Sequence, residues 1–173
     1  MTQVQRTEYL LLPANRAFIA FTLALGFALN VLPWGRLAWV PDFLALVLVF
    51  WNIHQPRKVG IGIAFLFGVL MDVHDAALLG EHALAYSLLS YGAISMHRRV
   101  PWFGALGKMA HVLPLFLAAQ VITIVVRAVV GSGLPGWPIL LSSFTTTLLW
   151  PLAELLLLAP QRRAIERDEN RPL

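Results

Sequence analysis

The stretch "MAHVLPLFLAAQVITIVVRAVV", Met109 to Val130, decides the fold class, because it is apolar almost throughout and its one fixed charge, Arg127, lies near its end. A helix rises 1.5 Å per residue, so about 20 such residues cross the ~30 Å hydrocarbon layer of a bilayer. Working outward, a second stretch of similar length, Trp137 to Ala159, follows it. Four shorter ones precede it: Ala17 to Leu32, Leu37 to Ile53, Val59 to Met71 and Ala83 to Met96. The third and fourth need the Asp72 to His82 connection to lengthen them, partly at membrane depth and shielded by neighbouring helices. The pattern predicts an all-α integral membrane protein, a compact bundle of about six short transmembrane helices. Residues 1–160 form a single polytopic domain, and residues 161–173 a short charged cytoplasmic tail expected to fray.

Composition agrees. Hydrophobic residues make up 58% of the chain and charged ones 13%, against about half and a quarter in soluble domains. The four-charge excess of Lys and Arg sits in short runs between apolar stretches, which argues against a nucleic-acid surface. The chain has no cysteine, so disulfides, thiolate metal sites and a cysteine nucleophile are excluded. Ala17 to Leu32 has the length of a signal peptide's apolar core, but no small-x-small cleavage site follows and it reads as a retained span.

Six spans place eleven of the thirteen Lys and Arg residues on one side and leave Arg36 and Arg127 on the other. Cation-rich short loops stay in the cytoplasm, so both termini are expected on the cytoplasmic side. Trp34, Trp39 and Trp137 then fall near the outer interface and Trp102 near the inner one, as an aromatic belt requires.

Several residues stand out inside these spans. Gly60, Ala64, Gly68, Asp72 and Ala76 recur every four residues, a stripe on which another backbone can approach closely, within the bundle or from a partner's helix. Asp72, ending the stripe, reads as a cap for the next turn. Asp72, His74, Asp75, Glu81 and His82 gather in one connection but lack the spacing of a metal site, and no metal or other cofactor is expected. Ser87, Tyr91 and Ser95 form a polar stripe with Ala83, and Ser142/Thr146 with Ser143/Thr147 form another, read as hydrogen-bonding glue between helices. Pro151, after Trp150, deprives the Thr147 carbonyl of its helical donor and predicts a kink there. Arg127 and Glu154 fall near opposite ends of their spans and are not expected to pair; Arg127 snorkels outward and Glu154 reaches the cytoplasmic cations. No ATPase, dinucleotide or serine-hydrolase motif occurs.

The chain resembles the bacterial rod-shape-determining protein MreD family. The resemblance runs through "PDFLALVLVFWNIHQPRKVGIGIAFLFGVLMDVHDAALLGEHALAYSLLSYG", Pro41 to Gly92, and returns at "LLWPLAELLLL", Leu148 to Leu158. It is carried by Pro41, then Phe50/Trp51, Pro56/Arg57, Gly68/Asp72, and Leu79/Gly80/Ala83/Leu84, in that order. Glu154 departs from the apolar residue the pattern leads one to expect after Trp-Pro.

That resemblance implies a non-enzymatic inner-membrane scaffold of the elongation complex, which supports side-wall peptidoglycan synthesis and cell shape. The implied partners are the lipid bilayer, an MreC-like protein, MreB, a RodA-type glycosyltransferase and a class B transpeptidase. The architecture also resembles the substrate-binding subunits of ECF transporters, whose first-span alanine stripe is matched by Ala20, Ala24 and Ala28. A small-molecule-binding transporter subunit is therefore the alternative.

Overall fold

A computed structural model describes residues 9–11, 14–34, 37, 39–131 and 136–164. Among these lie seven α-helices: α1 (Arg16–Val31), α2 (Phe43–His54), α3 (Gly60–His74), α4 (Glu81–Met96), α5 (Ala105–Val130), α6 (Leu140–Leu148) and α7 (Trp150–Leu158). Arg6, Arg36, Arg167 and Arg171 fall outside the described residues. Only α5 is by itself long and apolar enough to cross a membrane; α6 and α7, with the short turns flanking them, reach that length together but are bent by 40°. The bend lies at Leu149, two residues beyond Thr147, and the helix restarts with Pro151 in its first turn, where a missing N–H costs least.

The helices run back and forth between two ends. α3 and α4 pack as a hairpin; α4 also packs on α5 and α2, α1 on α2, and α5 on α6. The centre is α2, nine of whose twelve residues are buried, Leu44, Leu48, Val49, Phe50 and Trp51 completely or nearly so. A helix buried all round reads as apolar all round, and this one does. It is also short, about 18 Å by its rise. Outside it the surface is apolar as well: Phe21, Leu66, Val73, Leu88 and Val129 are all about half exposed or more, as suits a chain whose solvent is lipid.

Four sequence expectations change here. Pro41 and Asp42, inside the Leu37 to Ile53 run, stand before α2, which starts only at Phe43: proline keeps Val40 out of the helical region, and the Asp42 side chain caps the helix by accepting from the Ala45 N–H at 2.8 Å. The four-residue stripe stops at Asp72, because α3 ends at His74 and Ala76 is exposed in a left-handed turn with φ +49°. The Ser87, Tyr91, Ser95 stripe turns outward, and the hydroxyls of Ser87 and Ser95 donate to carbonyls of their own helix, at Ala83 and Tyr91. Beyond Pro160 the chain does not fray at once, since β2 (Arg162–Ala164) pairs antiparallel with β1 (Tyr9–Leu11), Leu10 opposite Arg163. Backbone groups at a membrane surface need partners, and the two segments supply them to each other.

Candidate functional site

Three acidic side chains, Asp42, Asp72 and Glu81, gather at one end of the bundle, where α1, α3 and α5 finish and α2, α4 and α6 begin. Asp42 is the hub. Its carboxylate accepts from Asn30 Nδ2 of α1 at 2.7 Å, from the Ala45 N–H of α2, and from the Tyr86 hydroxyl of α4 at 2.8 Å. Its own N–H donates to Thr146 Oγ1 of α6 at 2.8 Å, and Asn30 Oδ1 accepts from the Phe43 N–H. One cap residue thus ties four helices, and each group it satisfies would be expensive to leave bare at membrane depth.

Beside it, Asp72 performs a cap across a hairpin. Gly80 precedes α4 with φ +108° and has no side chain to cap the helix. The buried Asp72 carboxylate reaches over from α3 and accepts from the N–H groups of Gly80 at 2.8 Å, His82 at 2.7 Å and, more weakly, Ala83 at 3.4 Å. His82 Nδ1 lies 2.9 Å from the same carboxylate, and its Nε2 3.7 Å from Asp75. An acid at a helix N-terminus also complements the helix dipole. Such closeness needs Gly68: a Cβ there would sit 2.4 Å from the Ala83 Cα and 2.7 Å from the His82 carbonyl oxygen, distances at which backbone must move.

The same end holds an ion pair that the sequence did not announce. Glu81, buried in the first turn of α4, accepts from Arg127 Nε of α5 at 2.6 Å. Arg127 is therefore bound inward instead of snorkelling freely. Between these groups lie two small cavities of about 190 and 110 Å³, lined in common by Asp42, His82, Tyr86 and Gln120. They are of a size for a few waters. No three His, Asp or Glu side chains among the described residues stand so as to hold a metal ion.

The opposite end is basic. Glu154 of α7 pairs with Lys108 of α5, so Arg127 and Glu154 keep separate partners at opposite ends. Lys58 donates to the Ala14 carbonyl at 2.6 Å, fastening the α2–α3 turn to the start of α1. Arg57, Arg98 and Arg99 are exposed there.

Of the residues singled out in sequence, Ala64, Gly68 and Asp72 are buried on one face of α3, Gly60 and Gly80 stand at the starts of α3 and α4 with positive φ, and Trp150 is fully buried at the α6–α7 bend. Ser142, Ser143, Thr146 and Thr147 are buried; Thr146 serves Asp42, and Ser142 accepts from Gln120 of α5 at 3.0 Å. Ala20, Ala24 and Ala28 face outward on α1. Asn30, Asp42, Tyr86 and the buried pair Asn52 to Ser90, at 2.9 Å, were missed as partners. The available signal was an Asn inside an apolar run, which is costly unless something meets it.

The family model described as "rod shape-determining protein MreD" matches residues 12–159. The chain is 30% identical over 145 residues to the rod shape-determining protein MreD of Haemophilus influenzae, covering 80% of this chain and 87% of that protein. No solved structure gives a significant match.

Proposed function

The chain belongs to the MreD family of rod shape-determining proteins, and from that premise we propose that it is a non-enzymatic scaffold of the elongation complex in the bacterial inner membrane. On this reading it supports side-wall peptidoglycan synthesis by holding an MreC-like protein, with MreB, a RodA-type glycosyltransferase and a class B transpeptidase in the larger assembly. What carries the reading is how the bundle uses its buried charge: Asp42, Asp72, Glu81 and Glu154 are each engaged by donors from other elements. These groups hold helices together, and the surface left outside is apolar and open to other helices.

Six crossings with both termini in the cytoplasm are part of the proposal. Its support is the pairing of Tyr9–Leu11 with Arg162–Ala164, which brings the two ends of the chain together where Arg57, Lys58, Arg98 and Arg99 lie; that is the side the positive-inside rule assigns to the cytoplasm. Gly60, Ala64, Gly68, Asp72 and Gly80 are proposed as the seam that sets the α3–α4 hairpin, and Trp150–Pro151 as the hinge that shapes the α7 surface.

Depletion in the native rod-shaped host should give round cells, with loss of the MreC-like partner from detergent pull-downs of the remaining complex. Retained rod shape, with impaired nutrient uptake and a small molecule carried through purification, would replace the scaffold by the transporter subunit. Reporter fusions after residue 164 and near Ser132 test orientation, and a periplasmic signal at the C-terminus overturns it.

A further inference from the structure

The cleft between α1 and α3 at the basic end points to a binding site for one anionic phospholipid. The two helices part there around a cleft of about 550 Å³, with Arg16, Arg57 and Lys58 at its mouth and Leu23, Leu66 and Leu70 along its walls. None of the described residues lining it is acidic. The inference requires only that the bundle lies in a bilayer, so it stands apart from the scaffold reading.

Three features suit a lipid with a negative head. Both helices begin at the mouth, so the positive ends of two helix dipoles face it. At α1 the first turn is already capped by Asn15, whose Oδ1 accepts from the Ala17 N–H at 3.0 Å, whereas at α3 the cap position is Val59, which offers no side-chain acceptor. The start of α3, next to Arg57 and Lys58 of the mouth, thus has no side-chain cap of its own. Lys58 holds the mouth in shape through the Ala14 carbonyl, leaving the exposed guanidinium groups of Arg16 and Arg57 for phosphate oxygens. Below them the walls are aliphatic, as an acyl chain requires, and the Phe27–Phe67 ring contact at 6.0 Å bridges the two helices. Basic pockets between membrane helices take anionic head groups for the same reason.

A second cleft on α1 makes the contrast. The one shared with α2 and α7, about 370 Å³, has no charged residue among its lining. A partner's apolar helix would need nothing more than that, whereas three cations at one mouth are superfluous for a helix and complementary to a phosphodiester.

The test is native mass spectrometry of the delipidated full-length protein offered equimolar phosphatidylglycerol and phosphatidylcholine. Wild type should retain phosphatidylglycerol at least about tenfold over phosphatidylcholine, since each basic side chain near the membrane surface adds about fivefold. Arg16→Gln/Arg57→Gln should remove that preference, and Arg98→Gln/Arg99→Gln, at the same end but off the cleft, should keep it. Ala20→Trp, which fills the cleft with an indole one turn below Arg16 and removes none of the three cations, should lower retention of both lipids. Equal retention of the two lipids by wild type overturns the site, as does equal loss in the two double variants. Full competition by soluble glycerol phosphate would reduce it to an anion site, and a co-purifying protein helix displaced by Ala20→Trp, with lipid preference unchanged, would assign the cleft to a partner; either result overturns the lipid.

Discussion

The two ends of the bundle handle charge in opposite ways. At the acidic end, Asp42, Asp72 and Glu81 are drawn inward and each is met by donors from another element. At the basic end, Arg57, Arg98 and Arg99 face outward, and one ion pair, Lys108 with Glu154, joins α5 to α7. The difference follows from geometry: short acidic side chains cannot reach water from within a helix bundle and must be satisfied where they stand, while long basic ones carry their charge to the surface. The acidic end should therefore hold the fold, and the basic end should orient it.

The largest expected effect is at the seam. Gly68→Leu puts a side chain where even a Cβ meets the Ala83 backbone, and the cost should exceed the ~1–3 kcal/mol of ordinary overpacking. The protein should insert but fail to survive detergent extraction as a monodisperse species in size-exclusion chromatography. Monodisperse Gly68→Leu with wild-type thermal stability would mean α3 and α4 do not meet as described.

Asp72→Asn comes next. The amide keeps one acceptor oxygen but turns an NH2 toward N–H groups that the second oxygen now serves, so about 1–3 kcal/mol of stability should go, read as a lower melting temperature in detergent. A stable protein with abolished function would instead make Asp72 a proton or ligand group.

Glu81→Gln removes the charge facing Arg127. Arg127 is partly exposed, its side chain 32% accessible, so it can turn outward and the loss should be smaller, about 1 kcal/mol. A double-mutant cycle with Arg127→Gln should return a coupling of that size. No coupling would show that the pair is incidental.

At the basic end, Glu154→Leu should cost least, within about 0.5–1 kcal/mol, because Glu154 is less deeply buried than Glu81, its side chain 16% accessible against 2%, and the long Lys108 stem can carry its ammonium toward water. A loss larger than that of Glu81→Gln would erase the contrast between the two ends.

Much of this was legible in the residues themselves. The apolar runs agree with most helix ends to within four residues, but α2 starts six residues after Leu37 and the sixth run is two helices, α6 and α7; the bend falls beside Trp150-Pro151, and Gly68 and Asp72 stand where α3 meets the start of α4. These are local consequences of helix period, ring closure at proline and the size of glycine. Two short segments far apart in sequence, Tyr9–Leu11 and Arg162–Ala164, could not be matched that way, since three-residue pairing has no periodic signal.

What the sequence alone determined was the solvent: the ratio of apolar to charged residues and the placement of the cations require a helical protein in a bilayer, whatever its internal arrangement. Tertiary structure decided which buried polar groups meet. Asp42 joins Asn30, Tyr86 and Thr146 across as many as 104 positions of sequence, and Glu81 takes Arg127, 46 residues away, in place of any neighbour. Hydrogen-bond partners are chosen by helix order and depth in the bundle, and neither is written in the spacing of residues along one helix.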